Sequence, residues 1–241
     1  MGRLAVAVFT VASLHAQSPL SNKKFVQGLI AVNATNLSSV VYAGTSPAAN
    51  QPSAGATTTA VEHYVISINY GFGSRQVNVT KSTEPTRIVT TASEGYLWTV
   101  INGGPVVVLP VGAADFERQV AMSPHGVFKY AQAPDAKAVV ANLPGPNGRM
   151  YTTVTFTAAG SHIKATLNES GLVERAETMP GDAVLGNVVS AIDYAGYRAV
   201  DDIQFPFRIT ETRDGQIILD LTLTDIKPNA GFYAEVPESI K

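Results

Sequence analysis

The sequence predicts an α+β fold: a strongly curved antiparallel β-sheet, or half-barrel, whose concave apolar face is covered by a few helices. Three observations lead to this prediction. Runs of alternating apolar and polar residues follow one another at regular spacing between turn residues, which is typical of an antiparallel meander. Helical patterns occur near residues 21–36 and 113–133 rather than after each strand, which argues against a parallel sheet. The hairpin predicted over residues 205–229 has one apolar face that needs cover.

The first 16 residues differ from the rest of the chain and predict a secretory signal peptide. Arg3 precedes an apolar run from Leu4 to Leu14, which is too short for a spanning helix of about 20 residues. The small Ala16 suits cleavage after it, so residues 17–241 are expected to form a single half-barrel domain, exported to the periplasm or the extracellular space. A buried N-terminal strand is the alternative interpretation.

The composition excludes several classes of partner. The net charge is −2, charged residues make up 15% of the chain and there is no polybasic run, so neither nucleic acid nor an anionic membrane surface is expected. After the N-terminal segment, no stretch is long and apolar enough to be a transmembrane candidate. The chain has no cysteine, which excludes disulfides and a lipid attached to an N-terminal cysteine.

The first predicted helix follows the signal segment. Phe25, Leu29 and Val32 recur at the spacing of one helical face, so this face is expected to be buried. Ser21 is the predicted N-cap, and Asn33 or Asn36 the predicted end of the helix.

The second helical region is predicted as two pieces. Asp115 is expected to cap the first piece, and Ser123 followed by Pro124 predicts an N-cap with proline at the first helical position of the second. The neighbouring Ser123 and His125 could also be a catalytic pair. Capping is favoured, because adjacent residues at a helix start point in different directions.

Two strand patterns predict specific faces and pairs. In "VEHYVISINYG" the residues on one face are Tyr64, Ile66, Ile68 and Tyr70. A two-residue turn at Ala159-Gly160 would pair Phe156 with Ile163, and Val154 with Ala165, which are all apolar.

The hairpin in "FPFRITETRDGQIILDLTLTDIKPN" allows two registers. A two-residue loop at Asp214-Gly215 would pair Ile209 with Asp220 and put the two apolar rows on opposite faces. A three-residue loop from Arg213, with Gly215 left-handed in a bulge, keeps one face apolar, and it is the register predicted here. Its pairs are Ile209–Leu219, Phe207–Leu221 and Phe205–Leu223, with Arg208 and Asp220 on the polar side.

The sequence contains no recognisable catalytic or metal-binding motif. The histidines after the signal segment, His63, His125 and His162, form neither H-x-H nor H-E-x-x-H spacing, and there is no G-x-S-x-G motif. Asp201-Asp202 precedes a strand and is predicted as a turn rather than an acid–base pair. No catalytic residue, cofactor or metal site is therefore expected. A meeting of the distant histidines in space is the alternative.

Aromatic residues offer a different kind of site. A cover of few helices over a wide curled sheet can leave an apolar groove, which would suit an acyl chain, a lipid or another hydrophobic small molecule. A filled core is the alternative interpretation. The candidate groove residues are Tyr96, Trp98, Phe128, Phe156, Phe205 and Phe207.

Three segments carry a resemblance to a known family. "MSPHGVFKYA", "NESGLVERAETMPGDAVLGNVVSAIDYAGYRAVDDIQFPFRI" and "DGQIILDLTLTDIKPN" resemble the N-terminal domain of secreted bacterial metallo-β-lactamase-fold hydrolases, which looks like the half-barrel of periplasmic lipoprotein carriers (LolA-like). The resemblance covers most of the chain after the signal segment and is firmest over residues 120–229. It implies a LolA-like fold. The zinc motif of those hydrolases, H-x-H-x-D-H, is absent, so no hydrolytic residue is implied here.

Three hypotheses for function follow. The favoured one is an exported, non-catalytic accessory or binding module with an apolar groove, which binds a lipid or serves a hydrolase domain. The second is the N-terminal fragment of a metal-dependent hydrolase whose catalytic domain is missing from this chain. The third is a self-contained enzyme that uses scattered carboxylates or histidines.

Overall fold

The computed structural model describes residues 18–47, 61–82, 86–110, 112–144, 149–178 and 189–241. The signal peptide predicted at residues 1–16 lies outside the described residues. The helices of the described part are α1 (Lys23–Ala31), α2 (Ala113–Met122) and α3 (Pro124–Tyr130), with short 3₁₀ turns at Pro19–Ser21 and Glu238–Ile240. No helix in these ranges is long and apolar enough to cross a membrane.

The described residues also contain fifteen strands, most of them at positions where the sequence alternates apolar and polar residues. The first eight are β1 (Ser39–Pro47), β2 (Val61–Asn69), β3 (Ser74–Lys81), β4 (Arg87–Ser93), β5 (Tyr96–Ile101), β6 (Val107–Val108), β7 (Val139–Pro144) and β8 (Met150–Ala158). The others are β9 (Ser161–Leu167), β10 (Val173–Thr178), β11 (Ser190–Ala195), β12 (Arg198–Val200), β13 (Ile203–Phe205), β14 (Arg208–Arg213) and β15 (Gln216–Pro228).

Thirteen of these strands form one antiparallel sheet, in the order β6-β5-β4-β3-β2-β1-β15-β14-β11-β10-β9-β8-β7. The sheet consists of two meanders that meet where β1 pairs with β15. It is open, with β6 and β7 at its edges, and β12 and β13 form a separate pair. The predicted α+β fold, a curved antiparallel sheet with few helices, is confirmed. The β14–β15 hairpin lies in the middle of the sheet.

Irregularities in the strand pairing bend this sheet. The register shifts in β1 between Ala43 and Gly44, in β10 between Val173 and Arg175, and in β14 between Glu211 and Thr212. An extra residue on one strand of a pair increases the local twist and bends the strand. At Gly44 the two backbones approach so closely that a Cβ atom would lie 2.3 Å from the Thr222 carbonyl oxygen, so only glycine fits there.

The predicted register of the β14–β15 hairpin is wrong. The turn has two residues: Asp214 and Gly215 both have positive φ (48° and 78°), as a type I′ turn requires. The extra residue lies further along, at Ile218, so the pairs Ile209–Leu219, Phe207–Leu221 and Phe205–Leu223 do not form. The observed pairs beyond this bulge include Glu211–Leu219, Thr210–Asp220, Ile209–Leu221 and Arg208–Thr222.

The bulge keeps one face of the hairpin apolar, which is the effect that the three-residue loop was predicted to have. It returns Ile209 to the same face as the fully buried Leu221, because one inserted residue shifts the side-chain alternation by one position. On the opposite face the guanidinium of Arg208 donates to the Asp220 carboxylate at 3.0 and 3.1 Å. The prediction that these two residues lie on the polar side is confirmed.

The hairpin at Ala159-Gly160 has the predicted register. Phe156 pairs with Ile163, and Val154 with Ala165, across β8 and β9. Ala159 and Gly160 both have positive φ, as in a type I′ turn. Local turn chemistry and apolar alternation point to the same register here, which explains why the prediction succeeded.

Two of the predicted helix caps are corrected by the structure. Asn22, not Ser21, caps α1, because its side-chain oxygen accepts from the backbone N–H groups of Lys24 and Phe25. The helix ends at Ala31, before the predicted Asn33 or Asn36. The N-cap of α2 is Gly112 rather than Asp115, which lies in the first helical turn.

The predicted cap of α3 is confirmed. The Ser123 hydroxyl accepts from the Gly126 N–H at 3.1 Å and lies 2.7 Å from the Val120 carbonyl oxygen, so it joins the end of α2 to the start of α3. Pro124 occupies the first helical position, where its missing N–H is not needed.

Replacing Ser123 with alanine tests this junction. We expect Ser123→Ala to lower the free energy of unfolding by about 1–2 kcal/mol, since a buried N–H of Gly126 loses its acceptor. Chemical denaturation of both proteins measures the difference. Ser170→Ala, in an exposed turn, is the control and should change stability by less than about 0.5 kcal/mol. Equal midpoints for wild type and Ser123→Ala would contradict the capping role.

The core lies between the helices and one face of the sheet, here called the inner face. One apolar cluster fills the space over β8–β11 and includes Phe25 of α1 and Phe128 of α3, whose ring centroids are 5.1 Å apart. A second cluster lies over β1, β2 and β15 and includes Val120 of α2 and Phe205. The α2–α3 junction lies between the two clusters and contributes to both.

The outer face of the sheet is not uniformly exposed. At β5, Trp98 on this face is covered by the C-terminal segment through Ala234 and Val236, which are all buried. The side-chain amide of Asn69 donates to the Phe232 carbonyl at 2.7 Å and holds the segment in place. The polar side predicted for the hairpin is thus confirmed at Arg208, whereas at β5 a segment without regular structure covers the outer face.

Candidate binding cavity

A cavity of about 30 Å³ lies between the inner face and the α2–α3 junction. By volume it can hold about one water molecule. Strands from both meanders and the helix junction contribute its walls, which are mainly apolar. The lining residues are Tyr42, Ile66, Ile68, Arg75, Gln119, Ser123, Pro124, Ile192, Tyr194, Ile209, Glu211 and Leu219.

A buried polar network connects α2 to the sheet beside this cavity. The guanidinium of Arg75 on β3 donates to the Gln119 side-chain oxygen, and the Gln119 amide donates to the Glu211 carboxylate on β14 at 2.9 Å. Arg75 also lies over the Phe116 ring, with its guanidinium carbon 5.1 Å from the ring centre. This arrangement supplies partners for buried charges, without which their burial would be strongly unfavourable.

Burial changes the acid–base properties of this network. Loss of hydration lowers the pKa of the Arg75 guanidinium from its usual value, while the nearby negative charge of Glu211 opposes that shift. Both side chains lie on the buried side of their strands. The two opposite charges therefore compensate each other within one wall of the cavity.

Tyrosine hydroxyls form a second polar group around the cavity. The Tyr194 hydroxyl donates to the Met122 carbonyl oxygen at 3.1 Å, and the Tyr70 hydroxyl hydrogen-bonds with Ser123 at 3.2 Å. Burial raises the pKa of Tyr42, Tyr70 and Tyr194, so all three stay neutral at physiological pH. The hydroxyl of Tyr42 is buried next to that of Tyr70, and each contributes a side-chain hydrogen bond to the other's environment.

His125 lies next to the cavity, inside the second apolar cluster. It is fully buried, its ring centroid is 4.6 Å from that of Phe205 and 6.1 Å from that of Tyr70, and neither ring nitrogen has a hydrogen-bond partner within the described ranges. Burial, with a smaller effect from the positive charge of Lys129, lowers the pKa of His125 to about 3. The imidazole is therefore neutral at physiological pH.

The structure distributes the six candidate groove aromatics over separate places. Phe128 and Phe156 belong to the cluster over β8–β11, and Phe205 belongs to the cluster over β1, β2 and β15, with Phe207 at its margin. Trp98 lies under the C-terminal segment on the outer face. The sixth, Tyr96, is exposed. None of the six is among the residues that line the cavity.

The histidines considered for catalysis do not come together. His63 and His162 are exposed on β2 and β9, whereas His125 is buried in α3. Asp201 and Asp202 form the turn between β12 and β13, both with positive φ. Among the residues that the structure describes, no three His, Cys, Asp or Glu side chains are placed to hold a metal ion.

Sequence reasoning missed the residues that give the cavity its polarity. A signal was present: Arg75 and Glu211 are charged residues in phase with apolar rows, Arg75 with Val77 on β3 and Glu211 with Ile209 on β14. A charge in phase with a buried row is expected to have a buried partner. The partner, Gln119, lies on a helix far away in the sequence and could not be named without the structure.

The architecture of the described residues is a LolA-like fold. The structure of the chain is similar to the crystal structure of a LolA superfamily protein from Nitrosomonas europaea, with a TM-score of 0.53 and 14% identity over 89% of this chain and 96% of the other. It is also similar to a DUF1329 family protein from Desulfovibrio piger, with a TM-score of 0.53 and 10% identity over 90% and 96% of the two chains. These likenesses concern the fold. No family model matches the sequence, and no curated protein does so.

Proposed function

We propose that this protein is an exported binding module that holds an apolar ligand, such as an acyl chain, between the inner face of its sheet and helices α2 and α3. The observation that carries the proposal is the mainly apolar cavity at the α2–α3 junction, which lies at the boundary of the two core clusters. The LolA-like fold supports it. The predicted signal peptide supports export.

Ligand binding requires this cavity to widen. Its volume of about 30 Å³ is close to that of one methylene group or one water molecule, so an acyl chain needs α2 to move away from the sheet. Beside the cavity, Gln119 of α2 makes polar contacts to Arg75 and Glu211. These polar contacts can exchange partners with water when the helix moves. The buried Val120, Ala121 and Met122 of the same helix would have to leave the apolar clusters.

A fluorescent probe with a twelve-carbon alkyl chain tests the proposal. We expect the purified protein to bind the probe and to release it when unlabelled lipid competes. Leu219→Trp places a larger side chain in the wall of the cavity and should weaken binding by at least about tenfold. Titration of probe fluorescence against protein concentration gives the dissociation constants.

The matched control is Ile218→Trp, the neighbouring residue on β15. Ile218 is 40% exposed and does not line the cavity, so this variant should bind the probe within about twofold of wild type. Equal binding by both tryptophan variants would place the probe elsewhere. The proposal is wrong if the wild-type protein does not bind the probe.

We also propose that the module serves a metallo-β-lactamase-fold hydrolase as an accessory domain. This part of the proposal is supported by the sequence resemblance alone. Reading the gene beyond the codon for Lys241 tests it. An in-frame H-x-H-x-D-H motif would support a hydrolase domain as the partner, and a stop codon directly after Lys241 would argue against one on the same chain.

A further inference from the structure

We infer that the ligand carries a zwitterionic head group of the phosphocholine type, and that this head lies in a surface pocket between helices α2 and α3 and the β2–β3 turn. The inference rests on the proposed function and specifies the polar end of its ligand. It is carried by three features of the pocket: its opposite charges, its aromatic walls and its position beside the apolar cavity.

The pocket contains a cation and a carboxylate. Its volume is about 490 Å³, and its walls include Lys129 of α3 and Glu117 of α2. Within the described part of the chain, no ion pair involves either side chain, so both charges are available to a ligand. A head with one charge is attracted by one of these groups and repelled by the other, whereas a zwitterion can satisfy both.

The aromatic walls suit the ammonium end of such a head. Tyr70, Phe72 and Tyr130 all line the pocket, and the faces of aromatic rings attract quaternary ammonium groups. Glu117 is close enough to Tyr130 that its negative charge, after the larger effect of burial, raises the pKa of the Tyr130 hydroxyl. The ammonium is therefore assigned to the side of the pocket formed by Glu117 and Tyr130.

The phosphate end is assigned to Lys129. Its ammonium lies 5.8 Å from the centre of the Tyr70 ring, at the wall of the pocket. Burial lowers the pKa of Lys129 from its usual value, and a phosphate beside it would counteract that shift. The two ends of the head thus have separate partners on two different helices.

Tyr70 connects this pocket to the apolar cavity. Its ring lines the pocket, and its hydroxyl hydrogen-bonds with Ser123 at 3.2 Å and with Tyr42, both of which line the cavity. A single side chain therefore separates the two spaces. When the cavity widens and Tyr70 turns aside, an alkyl chain can lie in the cavity while its head stays in the pocket.

Four probes with the same twelve-carbon chain and different heads test the inference: phosphocholine, phosphate, trimethylammonium and an uncharged ethylene glycol ether. Each competes for the fluorescent alkyl probe below its critical micelle concentration. Wild type is expected to bind dodecylphosphocholine at least about fivefold more tightly than each of the other three, because only this head is attracted by both charges. Phosphocholine without a chain should bind at least about a hundredfold more weakly.

Two variants should change the order of the probes in opposite directions. In Lys129→Met the carboxylate of Glu117 remains, so dodecyltrimethylammonium should bind at least as tightly as dodecylphosphocholine. In Glu117→Gln the ammonium of Lys129 remains, so dodecyl phosphate should bind at least as tightly as dodecylphosphocholine. Affinity for the uncharged ether should stay within about twofold of wild type in both variants, which shows that the cavity is intact.

The control is Lys81→Met, which removes an exposed lysine at the end of β3 far from the pocket and should keep the wild-type order of the probes. The inference is overturned if wild type binds the four alkyl probes equally, if another head binds best, or if Lys129→Met and Glu117→Gln keep the wild-type order. In those cases the proposed apolar site stands. Failure of all four alkyl probes to bind wild type, or equal affinity for phosphocholine with and without its chain, would overturn the proposed function and this inference with it.

Discussion

Replacing Phe128 with alanine is expected to lower the free energy of unfolding by about 3–5 kcal/mol, which is a large part of the stability of a domain of this size. Phe128 is fully buried in α3 and packs against Phe25 of α1 at a centroid distance of 5.1 Å. It also contacts Gly28, where an added Cβ would lie 2.5 Å from the Phe128 ring. Truncation therefore leaves a cavity at the point where two helices meet the sheet.

Urea denaturation of wild type and Phe128→Ala measures this effect. The control is Phe72→Ala, which removes the same side chain from a position that is 61% exposed and that contacts mainly the exposed Tyr233. It should lower stability by about 1 kcal/mol or less. If both variants lowered the free energy of unfolding by similar amounts, Phe128 would not be packed in the core as described.

Acidification is expected to destabilise the protein through His125. Its pKa is about 3 in the folded state, against an ordinary value of about 6.5 when the chain is unfolded, so the unfolded state binds more protons between these values. Stability from this residue is fully present above about pH 6.5 and is lost as the pH falls towards 3. The loss is about 1.4 kcal/mol per pH unit, or about 3 kcal/mol between pH 7 and pH 4.

His125→Leu isolates this contribution from those of other groups. Leucine is similar in size and needs no hydrogen bond between the rings of Tyr70 and Phe205, so the variant should lose less stability than wild type over the same pH range. Urea denaturation at pH 7, 6, 5 and 4.5 gives both curves. His162→Gln changes an exposed residue and should retain the wild-type slope. Parallel curves for wild type and His125→Leu would show that His125 is not buried in the neutral form.

Local features of the sequence determined several secondary-structure elements and which of their faces are buried. The alternation in "VEHYVISINYG" predicts the buried face of β2, where Ile66 and Ile68 are in the core. The start of α3 was predictable because Ser123 and Pro124 act within one helical turn of each other. The register at Ala159-Gly160 was predictable because the turn and the apolar pairs agree. In each case the interacting residues are near neighbours in the chain.

The β14–β15 hairpin shows where local reasoning fails. Its two-residue turn is held by Val189, whose carbonyl accepts from the Asp214 N–H at 2.9 Å and whose N–H donates to the Asp214 carboxylate at 3.1 Å. The bulge at Ile218 then restores burial of Ile209 opposite Leu221. The partner of the turn lies outside the hairpin, just before β11. Apolar alternation cannot distinguish a residue inserted in the turn from one inserted further along the strand.

Only the tertiary structure shows which residues form the candidate cavity. The sequence by itself determined a curved antiparallel sheet with few helices and the absence of known catalytic motifs, since both follow from local patterns. The pairing of β1 with β15 and the network of Arg75, Gln119 and Glu211 join residues that are far apart in the chain. Such contacts depend on which elements pack together, and a hydrophobicity pattern specifies that a face is buried but not what covers it.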